Sequence, residues 1–405
     1  MLTALYSGIS GLRSHQTFLD VVGNNIANIN TPGFKESRVR FTDLLSVDLA
    51  SASAGNPAQV GLGVRAAGVD KNFSQGSMMQ TGNVFDLALG GEGFFVLNDG
   101  KQDFYTRAGA FHPDADGILE DSVSGYKVMG YDINDDVKAS STSPIQIPYN
   151  QLIPGKATAS IDSVGNLSAE AATGDTHVSS IDVFDSQGIK HTLTMTFTKT
   201  ATANTWDLAV TSADGTVTDG AVAGMAFNTN GSFDTTGEGD TGSIDIDFGL
   251  GAQTITMNFG TSSGFNGLTQ VAGTSTAAAA SQDGYEVGNF KSVSITTDGT
   301  LSALYTNGQS KAFAQLERVA FNNPDSLEQM GNNFFSSNSQ FTGEPISVVA
   351  QSGRGGNVMS GTLENSNVDI TRELTNLIIA QRGFQANSRT ITTSNQVLQE
   401  IMQII

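Results

Sequence analysis

Residues 370–405, ITRELTNLIIAQRGFQANSRTITTSNQVLQEIMQII, carry an apolar side chain at every seventh position, and residues 2–26 carry a matching series. A seven-residue repeat keeps one apolar stripe on the same side of a gently supercoiled helix. We therefore predict a helix at each end of the chain and expect the two to pair. The candidate assembly interface consists of the apolar members of both series: Leu5, Ile9, Leu12, Leu19, Ile26, Ile370, Leu374, Leu377, Phe384, Ile391, Leu398 and Ile405.

Two arrangements of these helices are open at this point. One is an intramolecular hairpin that completes a core; the other is a ring of helix pairs from many copies. Each helix has a second position of the seven-residue repeat, which holds the apolar Ile9 in the first helix and Leu374 in the last. Several other residues at this position are polar or small, and two helices alone bury them poorly, which favours the ring: Gln16, Gly23, Gln381, Ser388 and Asn395. Such residues could also line a wet channel. The arginines on the predicted helices are either solvated charges or members of inter-subunit ion pairs: Arg13, Arg372, Arg382 and Arg389.

The composition is typical of several β-rich domains. The chain has 405 residues, which predicts two to four domains, and 46 of them are glycine. Hydrophobic residues make up 38%, enough to form real cores. There is no cysteine, hence no disulfide framework or thiolate metal site. We also expect no cleaved signal peptide, since no basic residue precedes the first apolar residues. No membrane span is expected, because no apolar stretch is long enough to cross a bilayer.

The formal net charge is −20, and its distribution separates the ends from the middle. A negative field repels phosphate backbones, so we expect no nucleic-acid partner. All ten arginines lie at or before Arg107 or at or after Arg318. Residues 142–284 carry fourteen acidic side chains against three lysines. Arginine suits ordered interfaces and acidic surfaces remain solvated, so the flanks are predicted to assemble and the middle to face solvent.

Turn signals and apolar alternation predict a nested layout. The first helix is expected from Thr3 to about Asn28, where Pro32 and Gly33 follow. Residues 142–284 show the clearest period of two and are predicted as antiparallel hairpins, with Thr274–Ala280 as an exit linker. The last helix is expected to be capped at its N-terminus either by a capping box that begins at Thr371 or by Asn367 and Asp369.

The predicted fold class is α+β: paired, coiled-coil-like N- and C-terminal helices with two nested β-rich domains, the second inserted in the first. The predicted boundaries are 1–30 and 365–405 for the terminal helical domain, and 31–70 and 350–364 for connecting segments. The inner β-rich domain takes 71–141 and 285–349, and the inserted outer β-domain takes 142–284.

No catalytic, cofactor or metal site is predicted. Asp114, Asp116 and Gly117 lack the calcium-loop register and are interpreted as an Asp-Gly turn. The four histidines are dispersed, and His191, on the apolar face of a predicted strand, is interpreted as a core residue. No nucleophile lies at a spacing that suggests a base partner, so the chain is not predicted to be an enzyme.

Three sets of motifs resemble the bacterial flagellar rod and hook proteins. The first set is at the N-terminal end: Ser10-Gly11-Leu12, Leu19 to Asn28, and Thr31-Pro32-Gly33-Phe34-Lys35. The second set is internal: Gly93-Phe94-Phe95-Val96, Tyr105 to Phe111, and Gly117-Ile118-Leu119. The third set is at the C-terminal end: Gly361 to Asp369, Glu373-Leu374, and Gln381 to Asn387. The resemblance covers the flanks, which are well over half of the chain, and not the insert.

Within that family the large insert resembles hook rather than rod proteins. The resemblance implies a homopolymeric hollow tube that bends while it transmits torque from rod to filament. It implies export of the unfolded chain through the flagellar export apparatus and contacts with rod, hook cap and hook–filament junction proteins. The expected location is the extracellular hook attached to the basal body. Alternatives are a distal rod protein, which shares the ends, and a carbohydrate- or surface-binding β-protein, which explains only the middle.

Overall fold

The computed structural model describes residues 2–50, 58–134, 137–236, 241–348 and 356–404. The chain divides into two compact units. Unit 1 comprises residues 1–147, 293–303 and 311–405, and unit 2 comprises residues 148–292 and 304–310. The candidate residue Ile405 lies outside the described part of the chain.

Three α-helices and one 3-10 turn are present among the described residues. Helix α1 spans Leu2–Ala27, α2 spans Ser339–Thr342 and α3 spans Ile370–Ile404, with the 3-10 turn at Pro324–Ser326. The predicted terminal helices are thus confirmed, the first to within one residue at each end. Helix α3 is capped by Asp369, whose Oδ1 accepts the backbone N–H groups of Thr371 and Arg372 at 2.8 and 3.2 Å. Of the two predicted N-terminal caps, the one that contains Asp369 is therefore the one that forms.

The rest of the described chain is mainly β-strand, as the composition predicted. The strand bounds are β1 Ser37–Asp43, β2 Ser46–Ala50, β3 Ala58–Gly61, β4 Val64–Lys71, β5 Met78–Gln80, β6 Leu87–Gly90, β7 Phe94–Asn98, β8 Asp103–Thr106, β9 Phe111–Pro113, β10 Leu119–Asp121, β11 Lys127–Asn134, β12 Val137–Pro144, β13 Ser160–Asn166, β14 Thr176–Phe184, β15 Lys190–Lys199, β16 Thr205–Ser212, β17 Thr216–Asp219, β18 Ala221–Phe227, β19 Phe233–Thr235, β20 Thr241–Asp247, β21 Ala252–Asn258, β22 Leu268–Thr269, β23 Ala278–Gln282, β24 Phe290–Ile295, β25 Thr300–Tyr305, β26 Ser310–Leu316, β27 Arg318–Ala320, β28 Glu328–Gly331, β29 Phe334–Ser336, β30 Ile346–Ser347, β31 Asn357–Ser360 and β32 Thr362–Glu364.

Strand β7 lies at the centre of unit 1 and is buried on both faces. It pairs antiparallel with β8, β11 and β27, so its backbone groups are satisfied by neighbouring strands. On one face Phe95 packs edge-on against Phe111, with ring centroids 5.3 Å apart. On the other face Phe94 contacts the rings of Phe73 and Phe335. The continuous apolar run 94–97 reflects this two-sided burial, since both sets of alternating side chains enter a core.

The described part of residues 31–70, which were predicted as a connection, contains paired strands. Strand β1 pairs antiparallel with β4, and β2 pairs antiparallel with β3. The β1–β4 pair lies against α1, where Ser10 Oγ accepts the backbone N–H of Val64 at 3.2 Å and Ser14 Oγ donates to the Val64 carbonyl at 3.3 Å. This hairpin gives the N-terminal helix a fixed neighbour within unit 1.

Unit 2 is built on two sheets whose inner faces share one hydrophobic core. One sheet has the order β14-β15-β16-β18-β19, and the other has the order β17-β20-β21-β13-β22 with β23 paired to β13. The alternation predicted for this region is confirmed by the core side chains, which come from both sheets. The largest of them include Phe197, Trp206, Phe233 and Phe259.

Two sequence-based expectations for unit 2 are wrong. Residues 274–280 are not an exit linker: Ala277 is buried in the core, and β23 pairs with β13. The low-complexity run thus contributes one buried side chain and part of a strand, which its composition alone did not indicate. The pairing is also not wholly antiparallel, since β13 runs parallel to both β21 and β22.

The two local interpretations of polar residues are confirmed. Asp114 Oδ1 accepts the backbone N–H groups of Asp116 and Ile118, and Gly117 has φ of 82°, which is a turn stabilised by its own aspartate. His191 is largely buried and stacks on Phe248 with ring centroids 4.0 Å apart.

Candidate assembly site

Helices α1 and α3 pack against each other in opposite directions along a seam of small residues. Gly8 lies against Ile391, Gly11 against Asn387, and Gly383 against the ring of His15. The approach is close: a Cβ atom added at Gly383 would lie 2.4 Å from His15 Cε1. Glycine at these positions lets the two backbones approach closely.

The predicted interface residues fall into two groups. Those that are partly buried along the helix pair are Leu5, Leu12, Leu19, Ile26, Leu377, Ile391 and Leu398. Those that are exposed are Ile9, Ile370, Leu374 and Phe384. Pairing within one chain therefore leaves apolar helix surface uncovered, as the sequence had indicated.

Further exposed apolar side chains lie outside the predicted interface, and all of them except Met402 are off the two heptad positions. These are Tyr6, Ile378, Ile379, Val397, Ile401 and Met402. Ile378 is 56% exposed and Met402 is 78% exposed, which is unusual for large apolar groups. The adjacent isoleucines Ile378 and Ile379 were the sequence feature that could have indicated this additional apolar surface. Together with the exposed heptad residues they form what we call the apolar helix surface.

A buried ion pair joins the two terminal segments of the chain just beyond the helices. Lys35 Nζ lies 2.7 Å from Glu364 Oε1, and both side chains are excluded from solvent. Lys35 Nζ also donates to the Ser74 carbonyl at 2.9 Å, and Glu364 Oε1 accepts the Gly76 N–H at 2.7 Å. Arg107 Nη1 lies 3.7 Å from the other oxygen of Glu364. We call Lys35, Glu364 and Arg107 the latch.

Burial governs the electrostatics of the latch. Desolvation lowers the pKa of the Lys35 ammonium, and the neighbouring Glu364 carboxylate opposes that shift. Desolvation likewise lowers the pKa of Arg107, again opposed by Glu364. Glu364 therefore offsets both buried cations, with a smaller contribution from Glu92 at Arg107, so the arrangement depends mainly on Glu364.

Two asparagines from the terminal motifs complete the junction between the helices and the sheet. Asn25 donates to the Ser37 carbonyl and to Glu373 Oε2, and its Oδ1 accepts the Ser37 N–H at 3.0 Å. Asn367 Oδ1 accepts the Glu36 N–H at 2.7 Å, and its Nδ2 donates to the Asn72 carbonyl at 2.8 Å. These contacts hold the start of α3 and the end of α1 at one place on unit 1.

Family models match along most of this chain. The model "Flagella basal body rod protein" matches residues 5–35, and "Flagellar basal body rod FlgEFG protein C-terminal" matches 359–404. "Flagellar hook protein FlgE/F/G D1 domain" matches 88–169, and "Flagellar basal body protein FlaE D2 domain" matches 155–285. The terminal matches cover α1, α3 and both sides of the latch.

Similar proteins extend over the full length. The flagellar hook protein FlgE of Treponema pallidum (strain Nichols) is 34% identical over 462 residues, covering 100% of both chains. That of Borreliella burgdorferi is 35% identical over 445 residues, again covering 100% of both. The chain belongs to the flagellar hook protein family. Its function is that of a structural subunit of the flagellar hook, and the family is not an enzyme family.

Two further observations accompany membership of the hook protein family. The crystal structure of Helicobacter pylori flagellar hook protein FlgE2 superimposes with a TM-score of 0.53 at 15% identity, covering 71% of this chain and 100% of that one. At that identity the match supports the β-rich fold alone. No helix in the described ranges has the length and apolar character needed to span a membrane.

The seam of this hook-family chain yields a prediction with a matched control. Gly383→Ala is expected to lower the free energy of unfolding by about 1–3 kcal/mol relative to Gly23→Ala, because the new methyl group displaces the His15 ring. Gly23 is in α1 with no atom within 4 Å of an added Cβ, so Gly23→Ala should stabilise by about 0.5–1 kcal/mol. Urea unfolding followed at 222 nm measures both. Equal effects would show that the seam is not closely packed.

Proposed function

We propose that the chain polymerises through its terminal helices into a flexible hollow tube that transmits torque from the flagellar rod to the filament. The observation that carries this proposal is the apolar helix surface. In one chain α1 and α3 cover each other only along a glycine-rich seam, and large apolar side chains on both helices remain exposed. Other copies of the chain are the natural cover for such a surface.

In this proposal each predicted segment has a place in the tube. Residues 1–30 and 365–405 form a coiled-coil-like inner layer; residues 31–70 and 350–364 connect it to the outer layers. The inner β-domain (71–141 and 285–349) carries the inserted outer β-domain (142–284). Rigid helix packing would resist twist, and thin polar contacts between outer domains would allow bending. The acidic insert suits the outermost layer, because like charges discourage adhesion between neighbours.

The partners follow from the same reading. The hook subunit is exported unfolded by the flagellar export apparatus and adds at the tip under the hook cap. The polymer then contacts the rod at one end and the hook–filament junction proteins at the other. A distal rod protein is the second candidate, because the terminal matches include rod-protein models. The match of residues 155–285 and the full-length hook relatives favour the hook.

A single charge placed on the apolar helix surface tests the proposal. Ile378→Asp is expected to raise the critical concentration for polymerisation at least about tenfold, since burying an isoleucine contributes about 1.5–3 kcal/mol and a buried unpaired carboxylate adds a penalty. The stability of the single chain should hardly change, because Ile378 is already exposed. Sedimentation and negative-stain microscopy of the polymer provide the measurement.

The control is Gln396→Asp, which adds the same charge at an exposed polar position of the same helix. We expect its effect to be several-fold smaller. Equal effects of the two substitutions would mean that charge, and not loss of apolar burial, weakens assembly. Straight rather than curved wild-type tubes would favour the distal rod protein.

A further inference from the structure

A groove beside α1 has a lining that is both apolar and positively charged. It has a volume of about 370 Å³ and lies between α1 and the β1–β4 hairpin. We call it the α1 groove and define it by six of its lining residues: Tyr6, Ile9, Arg13, Leu44, Leu62 and Arg65. Tyr6 and Ile9 are exposed, and neither arginine has an ion-pair partner among the described residues. Arg65 Nε donates to Thr42 Oγ1 at 3.4 Å. The groove therefore offers apolar contacts and two arginines that have no ion-pair partner in the described part of the chain.

The walls of the groove are held in place. Ser10 and Ser14 of α1 exchange hydrogen bonds with both backbone groups of Val64, the first residue of β4. The Leu44 N–H donates to the Gly63 carbonyl at 2.8 Å, and the Leu62 N–H donates to the Leu45 carbonyl at 3.1 Å. A groove with fixed walls can accept a partner with little loss of conformational entropy.

The end of α3 has the complementary chemistry. Because Gly8 faces Ile391 and the helices are antiparallel, α1 begins opposite about residue 397, and the last two turns of α3 extend past the described start of α1. Met402 follows Leu398 by one turn on the seam side but is 78% exposed, and Ile401 is also exposed. We call residues 398–404 the overhang.

The overhang also carries the required charge. Glu400 and Glu373 are the two acidic residues of α3, and Glu373 is buried and bonded to Asn25. Glu400 is exposed and is thus the one carboxylate of the helix able to meet a new cation. The overhang points away from the α1 groove of its own chain, since α3 runs past the start of α1, whereas Arg13 lies beyond Gly11 in the opposite direction.

We propose that the α1 groove receives the overhang of a second copy of this chain, with Glu400 between Arg13 and Arg65 and with the adjacent Ile401 against Tyr6 and Ile9. This inference rests on the proposed function and names one contact through which the polymer forms. It gives the contact a direction, because each subunit presents a groove and an overhang at different places. Such a heterologous contact produces an open helical assembly and not a closed dimer.

Charge reversal with rescue tests the contact in the full-length chain at low salt, where surface charges are least screened. Glu400→Arg is expected to raise the critical concentration for polymerisation at least about tenfold, because like charges across an interface are strongly unfavourable. The double variant Arg13→Glu/Arg65→Glu should have a similar effect. The combined triple variant should return to within about threefold of the wild type, since opposite charges face each other again.

The decisive control combines Glu400→Arg with Arg389→Glu, a reversal on α3 outside the groove. Rescue by Arg389→Glu, failure of the triple variant to improve on either parent, or a Glu400→Arg chain that assembles normally would each overturn the inference. Circular dichroism verifies that every variant keeps its helices. If the wild type polymerises and the triple variant is not rescued, only this contact is wrong. If the wild type does not polymerise, the proposed function and the contact both fall.

Discussion

Replacement of Glu364 by alanine is expected to destabilise unit 1 by about 3–5 kcal/mol, the largest effect on stability of any single substitution proposed for this chain. In the described part of the chain, Glu364 is the one carboxylate within 4 Å of both Lys35 and Arg107. Its removal leaves Lys35 without its carboxylate partner and Arg107 with only the weaker interaction of Glu92, and the backbone N–H of Gly76 loses its acceptor. The latch lies where the chain enters α3, so the helix pair should loosen first.

The two units can be followed separately. Trp206 is the one tryptophan of the chain and lies in the core of unit 2, so its fluorescence reports that unit. The helical signal at 222 nm reports α1 and α3, which belong to unit 1. In a urea titration, Glu364→Ala should shift the helical transition to lower urea and leave the Trp206 transition in place.

An exposed ion pair of the same unit is the matched control. Arg40 Nε lies 2.7 Å from Asp70 Oδ2, but the Arg40 side chain is largely exposed, so Asp70→Ala should lower stability by less than about 1 kcal/mol. The double variant Lys35→Met/Glu364→Leu should be more stable than Glu364→Ala, because it removes one buried cation together with the carboxylate. A Glu364→Ala effect no larger than that of Asp70→Ala would show that the latch is not important for stability.

The helices could be predicted from sequence because their signals are local. The residues that define the apolar repeat, the N-terminal cap and the end of a helix lie within a few positions of each other. Asp369 marks the start of α3 and Pro32 follows the end of α1, close to where the structure has them. The seam could not be predicted in the same way. The apolar repeat identifies residues that avoid water, but Gly8, Gly11 and Gly383 decide how closely two backbones approach, and glycine has no apolar signal.

The latch was visible in the sequence only as motif residues without a stated role. Lys35 and Glu364 are separated by 329 positions, and nothing local pairs one with the other. Their burial follows from the sheet, because β5 and β32 pair and bring Glu364 against Gly76. The parallel neighbours of β13 were missed for the same reason: alternation predicts a strand but carries no information on the direction of its partner.

Deletion of residues 370–405 is expected to abolish polymerisation at every concentration at which the chain stays soluble. Among its described side chains, the deleted segment supplies eight that are large, apolar and exposed: Ile370, Leu374, Ile378, Ile379, Phe384, Val397, Ile401 and Met402. Burying the exposed half of each contributes about 1 kcal/mol, hence roughly 8 kcal/mol per subunit. Loss of translational and rotational freedom opposes association by about 4–15 kcal/mol, so the remaining contacts cannot compensate for the missing helix.

The truncated chain should still be a folded protein, which separates this outcome from general unfolding. The core around β7 is made by strand residues such as Phe95 and Phe111, none of which belongs to α3. Unit 2 should keep its Trp206 transition, because the deletion lies wholly in unit 1. Helix α1 should lose most of its helical signal, since an isolated helix without its packed face is marginal in water. Tubes formed by the truncated chain would contradict assembly through the terminal helices, because the outer domains would then be sufficient for polymerisation.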